Sequence, residues 1–361
     1  MIYLDYQATT PLAPEAREEM LRWLDGPGGA GFGNPHSIHR MGRQAEAAVE
    51  IARERVAALF PSGGTVVFTG SATEAINLAL RGSEAGRAGR PVAVSAIEHS
   101  AVLDTALDLP GDTTILPVDR DALVDPQVAL PEGVGIVSVM QVNNEVGTIQ
   151  PVADLYERVK ARGALFMCDA VQAAGKIPIG EADLIAISAH KFHGPKGIGA
   201  LWVRDGIELA PEITGGGQEG GLRSGTLSPA LCAGMGMAAK VALERMDQDA
   251  VHVASLWDRA LELFPDWQVN GSAAQRYRGN LNIRHKGLDV SRLISDVREV
   301  MFSAGSACAS ESNKPSRILS AIGLTQEQAR GSIRLGFGRY TTLEELERAA
   351  ELVNCAAAQQ G

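Results

Sequence analysis

Short apolar runs rich in β-branched residues recur along the first half of the chain, at 65–69, 92–97, 135–140, 164–169 and 184–188. Longer stretches of helical period, among them 40–60 and 153–162, alternate with them. A strand that is apolar along its whole length must be covered on both faces, and strands joined through helices pair in parallel. The alternation therefore predicts an α/β fold, with a mostly parallel sheet flanked by helices. The pattern changes after about residue 250, where a long amphipathic stretch leads to 280–284 and then to short elements ending in a helix over 343–358. This predicts a smaller α+β C-terminal domain. We expect residues 13–250 to form the large domain, and residues 1–12 with 251–361 to form the small one.

Charge and composition exclude several classes of function. The 33 Lys and Arg residues are scattered among 43 Asp and Glu, for a net charge of −10, so no basic stripe awaits a nucleic acid. No apolar run approaches the roughly 18 to 20 residues that cross a bilayer, and residues 1–10 lack the basic-then-apolar layout of a secretory signal. The expected location is cytoplasmic, with no membrane partner. The four cysteines, Cys168, Cys232, Cys308 and Cys355, form no CxxC pair, so neither a metal site nor a disulfide framework is expected.

In an open parallel sheet, ligands bind beyond the carboxyl ends of the strands. Four strand ends carry chemically useful groups: Ser71 to Glu74, Glu98 with His99, Asp169 with Gln172, and Ser188 with His190 and Lys191. Together they could surround one planar, phosphorylated cofactor. Lys191 lies in a Gly- and Pro-bearing loop, where an amine of lowered pKa could form an imine with an aldehyde; a surface lysine is the plainer alternative. Asp169 ends an apolar strand, where a carboxylate is costly unless it meets a cation such as a protonated pyridine nitrogen. Its alternative is an N-cap for a helix starting at Ala170. Gln172, three residues on, could donate to a phenolate oxygen. The segment from Ser71 opens a helical stretch whose free amides suit a phosphate, although Ser71 and Glu74 also read as a capping box. His99 could stack on a ring and move protons, or be structural.

Glycine clusters at 26–33, 194–199 and 215–225, where a loop would have to approach a ligand closely. Cys308 stands in a run of small and polar residues, 303–315, that offers little to pack a core. A thiol there is available as a nucleophile once deprotonated. The other three cysteines read as structural, Cys168 in a strand and Cys232 and Cys355 in Ala-rich helices.

These residues resemble the cysteine desulfurase family, within the class V, fold-type I group of pyridoxal 5'-phosphate (PLP) enzymes. The likeness runs from Tyr3 to about Leu346. It is carried by YLDYQATTP at 3–11, GNPHS at 33–37, ATE at 72–74, EHS at 98–100, NNEVG at 143–147, DAVQ at 169–172 and HKFHGPKG at 190–197. GGGQ at 215–218, RSGT at 223–226, GSACAS at 305–310, and Ile333-Arg334 through Gly338-Arg339 extend it.

The resemblance implies a PLP-dependent transferase fold of type I and the conversion of L-cysteine to L-alanine, leaving a persulfide on Cys308. Lys191 would hold PLP and remove the substrate's α-proton. Asp169 would pair with the pyridine nitrogen, Gln172 and Asn144 would address the phenolate oxygen and substrate, and His99 would stack on the ring. Ala72, Thr73, Ser188 and His190 would hold the phosphate, joined by Thr226 from a neighbouring protomer, so a homodimer is expected. Arg334 would take the substrate carboxylate. The sulfur would pass to an acceptor protein such as an iron-sulfur scaffold, or into thio-cofactor assembly. A selenocysteine lyase, a class V aminotransferase, and a catalytically weak sulfur-transfer or scaffold partner that keeps PLP mainly for structure are the rival readings. Two features depart from the family: Gly220 stands where an arginine commonly follows the glutamate, and the C-terminal extension that longer members use to dock the scaffold is not seen before the last residue, Gly361.

Overall fold

The computed structural model describes residues 1–29, 31–305 and 316–360. Its strands are β1 (Ile2–Tyr3), β2 (Gly64–Thr69), β3 (Val92–Ser95), β4 (Thr113–Leu116), β5 (Ile136–Ser138), β6 (Leu165–Asp169), β7 (Leu184–Ser188) and β8 (Gly199–Arg204), followed by β9 (Gln268–Val269), β10 (Asn280–Arg284), β11 (Val300–Met301), β12 (Ser303–Ala304) and β13 (Ser332–Gly336). The helices used below are α1 (Pro14–Leu21), α2 (Arg40–Ala57), α3 (Ala72–Gly82), α4 (Glu84–Arg87), α5 (Ser100–Leu107), α6 (Val152–Lys160), α7 (Pro229–Leu263), α8 (Val290–Asp296), α9 (Arg317–Ala321), α10 (Gln326–Arg330) and α11 (Leu343–Ala358).

Seven strands form the main sheet in the order β2-β8-β7-β6-β5-β3-β4. The β7, β6, β5, β3 and β4 ladders are parallel, and β8 alone runs antiparallel to its neighbours β2 and β7. The α/β architecture is the one read from the sequence. Strands β5, β6 and β7 bury nearly every side chain because helices cover both faces, which is why their sequences lack polar alternation. Several runs end earlier than their hydrophobicity suggests: β3 stops at Ser95 although Ile97 is fully buried, because the chain there turns into α5.

Helix α2 shows why one face packs. Gly42, Ala45, Val49, Ala52 and Val56 are buried at helical spacing, and His39 Nδ1 caps the start by accepting from Gly42 N at 3.2 Å. That face meets α7, where a Cβ on Gly236 would lie 2.6 Å from Ala52 Cα, so glycine permits the close crossing.

Helix α7 has 35 residues, a length of about 50 Å at 1.5 Å per residue. Its first half buries Cys232, Met235, Ala238 and Ala239 in the core of the main sheet. Its second half buries Val253, Leu256, Trp257 and Ala260 in a separate core, shared with Leu4, β10, β13 and α11. This second core carries an antiparallel sheet, β12-β13-β10-β9, and the parallel pair β1-β11 draws the N-terminus onto it. Arg276 bridges the two parts, donating to Val146 O at 2.8 Å and Asn280 O at 2.9 Å while stacking 4.2 Å over Trp257. Among the described residues, no helix is long and apolar enough to cross a membrane.

Candidate active site

The parallel strands deliver β6, β7, α3 and α5 to one edge, where a cavity of about 310 Å3 opens. That volume lies at the small end of ordinary small-molecule pockets, roughly 300 to 1,000 Å3. The structure brings Ala72, Thr73, His99, Asn144, Asp169, Gln172, Ser188, His190, Lys191 and Arg334 to its walls. Thr226 is exposed and lies outside this lining. Cys308 lies outside the described residues.

Lys191 ends a 3-10 turn that leaves β7, and its Nζ donates to Gln7 O at 2.6 Å and Ala8 O at 2.9 Å. The loop is anchored two residues on. His193 takes a left-handed backbone, φ 68°, held by a bond from its N–H to Thr10 Oγ1 at 2.8 Å and by its Nδ1 donating to Pro11 O at 2.9 Å. Burial and the neighbouring Arg339 lower His193 to about 4, and burial with Lys191 nearby lowers His190 to about 4. Both rings are therefore neutral near pH 7, and neither sets an imidazolium beside the amine of Lys191.

Asp169 closes the cavity floor at the end of β6. Its Oδ1 accepts from Val171 N at 2.9 Å, and no helix begins at Ala170, so the N-cap alternative reduces to a tight local turn. Burial pushes the carboxyl upward, while the bond from Val171 and the nearby His99 and Lys191 oppose that rise. A ligand bringing a cation to this spot would relieve the burial of the carboxylate. Asn144, on the same cavity, has a buried Oδ1 with no hydrogen-bond partner among the described residues. Buried polar atoms of this kind are expected to be satisfied, so the cavity is chemically incomplete without a polar ligand.

At the opposite wall, α3 begins. Ser71 Oγ accepts only from Glu74 N, at 3.2 Å, and the amides of Ala72 and Thr73 precede the first intrahelical bonds. The predicted capping box is half formed. Glu74 does not reach back to Ser71; it accepts from Gly70 N at 2.7 Å and pairs with Arg223 at 2.6 Å. Gly199 allows this wall to close up, since a Cβ there would lie 2.6 Å from Ser71 C. An anion suits the exposed amides of an 11-residue helix.

His99 caps α5 with Nδ1, which accepts from Ala101 N at 3.1 Å, so the neutral ring carries its proton on Nε2. Arg334 is 1% exposed, and its Nη2 donates to Asp5 Oδ1 at 2.7 Å and Ser303 Oγ at 3.3 Å, while Nη1 donates to Asn144 O at 3.0 Å. The salt bridge and the cavity position occur together, and Nε has no partner among the described residues.

The Gly220 departure has a local rationale. Glu219, Gly220 and Gly221 have φ of 50°, 64° and 85°, three successive left-handed residues that favour glycine. The Glu219 carboxylate turns inward to accept from both Arg53 Nη atoms at 2.7 Å and from Phe68 N at 2.6 Å. Among the cysteines, Cys168 and Cys232 are buried, but Cys355 is exposed: an Ala-rich helix packs one face only, and position 355 falls on the other.

Sequence reasoning overlooked Gln7, Ala8 and Lys176. The run at 3–11 was the available signal for the first two, whose contribution is backbone carbonyl, a group no side-chain pattern reveals. Among the described residues, no cluster of three His, Cys, Asp or Glu is placed to hold a metal.

Glu98 is a buried acid beside this site. Burial raises its carboxyl to about 8, against bonds donated to Oε1 by Ser95 Oγ at 2.5 Å and Met140 N at 2.7 Å. The folded state therefore binds this proton more tightly than the unfolded chain does. Its stabilising contribution is complete below the unfolded pKa, and is lost as pH rises through about 8. Glu98→Gln keeps the acceptor and removes the titration. Chemical denaturation from about pH 6 to pH 9 should show the wild type losing about 2 kcal/mol more than the variant; parallel pH profiles would refute the neutral acid.

The model of the family "Aminotransferase class-V" matches residues 2–349. A cysteine desulfurase IscS of Colwellia psychrerythraea is 42% identical, over 98% of this chain and 92% of that protein, and one of Rickettsia felis is 41% identical, over 98% and 90%. Among solved structures, a NifS-like protein superposes with a TM-score of 0.90 at 32% identity, covering 99% of both chains. A second, described as SspA in complex with cysteine, gives 0.82 at 32% identity, over 95% of this chain and all of that one. With its fold, its strand-end residues and these relatives in agreement, the chain belongs to the class-V aminotransferase family, among the cysteine desulfurases.

Proposed function

We propose that the cavity binds pyridoxal 5'-phosphate through Lys191, and that the protein takes sulfur from L-cysteine to give L-alanine and a persulfide on Cys308. The class-V family is PLP-dependent, and the relatives named above are desulfurases. The observation that carries the reading is the convergence of three unlike groups on one cavity: the Lys191 amine, the buried Asp169 carboxyl and the free amides of the α3 start. An aldehyde, a pyridine nitrogen and a phosphate would meet these three in turn, and the unpartnered Asn144 Oδ1 leaves room for a further polar contact.

When bound, the cofactor supplies an electron sink for charge developed at the substrate α-carbon. Asp169 would hold a proton on the pyridine nitrogen, Gln172 and Asn144 would address the phenolate edge and the substrate, and His99 would stack on the ring. Ala72, Thr73, Ser188 and His190 would hold the phosphate, and in a homodimer the exposed Thr226 would complete the phosphate site of a second copy. The amine of Lys191 would move the substrate's α-proton. Thiolate of Cys308 then attacks the substrate sulfur: an S–S bond forms, the Cβ–S bond breaks with its electron pair kept on carbon, and that carbon takes a proton to become the alanine methyl. An acceptor protein, such as an iron-sulfur scaffold, draws the sulfur onward in the cytoplasm. The two hydrophobic cores support a division into a large domain, 13–250, and a small one, 1–12 with 251–361, although α7 runs through the boundary unbroken.

Arg334 binds the substrate carboxylate. Removing one charge-assisted pair costs about 1.5 to 3 kcal/mol, so Arg334→Ala should raise KM for L-cysteine about 10- to 100-fold and change kcat much less. Steady-state alanine formation checks this. An unchanged KM would assign Arg334 to the Asp5 salt bridge alone.

A further inference from the structure

Behind Lys191 lies another lysine that the proposed chemistry leaves unused. Lys176 follows the turn that begins at Asp169, and its Nζ donates to Gln172 Oε1 at 2.9 Å while lying 5.3 Å from the centre of the Tyr277 ring. Gln172 is buried, and its Nε2 donates at 2.9 Å to Gln7 O. That carbonyl is the one that accepts from Lys191 at 2.6 Å. Lys176, Gln172, Gln7 and Lys191 thus form a single hydrogen-bonded chain.

The two ends of a glutamine amide have nearly the same shape and opposite hydrogen-bonding character, so their partners decide which end faces where. Here Gln7 O, an acceptor, takes one N–H of Nε2, and Lys176, a donor, occupies Oε1. Nε2 keeps a second N–H on a side chain that lines the main cavity. Without Lys176, Oε1 would be a buried acceptor with no donor among the described residues, and the single bond to Gln7 O would be left to hold the amide.

The geometry points to Lys176 as a positioning residue, which pins Gln172 so that it presents an N–H donor to the phenolate oxygen of the cofactor. This rests on the PLP reading of the cavity.

Lys176 faces a smaller cavity of about 30 Å3 whose walls include Tyr6, Lys191, His193, Asp249, Tyr277 and Arg339. Asp249 is committed to Arg339 at 2.7 Å and to Arg245 at 3.4 Å. Among the described residues, no carboxylate lies within ion-pair distance of Lys176. Although the side chain is only half-buried, burial of its ammonium end, together with the charge of Lys191, lowers it to about 7. A lysine held at this cost against a glutamine is hard to explain by packing alone, since a methionine would fill the same space.

The test is a cycle of Lys176→Met, Gln172→Leu and the double variant, read in two ways. In the cofactor-loaded protein, a donor at the phenolate edge favours the deprotonated form of the bound chromophore, so losing it raises the pH midpoint of the visible band. Lys176→Met should raise that midpoint by about one unit, Gln172→Leu by a similar amount, and the double variant no further. Lys176→Gln, which retains a donor for Oε1, should restore most of the wild-type midpoint. In the apoprotein, the losses in Tm from the two single substitutions should be less than additive, because each breaks the same bond. An unshifted midpoint in Lys176→Met, a Lys176→Gln midpoint shifted as far as that of the methionine variant, or additive Tm losses would overturn the assignment. Should Lys176→Met not retain cofactor, the apoprotein cycle decides. A wild-type protein with no visible band would instead count against the PLP reading, which the apoprotein cycle does not use.

Discussion

Lys191→Ala should leave the purified protein without a visible absorption band and lower alanine formation from L-cysteine by about 10⁴-fold or more. The size follows from the two roles assigned to one amine. It carries the cofactor, and once released it moves the α-proton, a general-base contribution worth about 10²- to 10⁴-fold by itself. The loss should come without unfolding. Nζ donates to two backbone carbonyls, of Gln7 and Ala8, at the wall of an open cavity where water can replace an ammonium. The surrounding loop is held by other bonds, from Thr10 to the His190 carbonyl and from His193 to Thr10. Far-UV circular dichroism and Tm close to wild type, with the band and the alanine both gone, would place the defect in the chemistry. A retained band would show that another amine holds the cofactor.

Cys308→Ala should separate the two halves of the reaction: the visible band stays, and alanine formation falls at least about 10²-fold. No other cysteine is a ready substitute. Cys168 and Cys232 are buried, and burial pushes both thiols upward, Cys232 to about 12, so neither supplies thiolate near neutral pH. Cys355 is exposed but sits near the end of α11, a helix whose inner face packs in the second core with no residue on the cavity. Amino-acid analysis of the product and the absorption spectrum check both halves at once. Full activity in the alanine variant would remove Cys308 from the mechanism.

The sequence made legible the parts of the molecule in which side-chain type follows from position. Strands buried on both faces read as unbroken apolar runs, so β6 and β7 emerged with nearly correct limits, and a costly polar residue at the end of each, Asp169 and Ser188, marked the cavity. The helix read over 343–358 is found at those limits, and the structure closes its start with a complete capping box of Thr342 and Glu345. Ser71 and Glu74 have the same spacing, yet Arg223, distant in sequence, draws the glutamate away; a tertiary ion pair overrides a local signal there. Strand ends such as Ile97 were misplaced because burial, unlike pairing, continues past the last ladder bond. The N-terminal lining was missed for a deeper reason. Gln7 and Ala8 act on Lys191 through carbonyl oxygens that every residue possesses, and Lys176 gains its interest only from the fold that carries it to Gln172.

The most direct test of the account is to incubate the purified wild-type protein with L-cysteine, first with a reductant and then without one. With reductant, alanine and sulfide should appear in equal amounts. Without it, a single turnover should give about one alanine per site and a mass gain of one sulfur on the peptide that contains Cys308. Sulfide accompanied by pyruvate in place of alanine, or a protein with the visible band that forms neither alanine nor persulfide, would contradict the desulfurase reading.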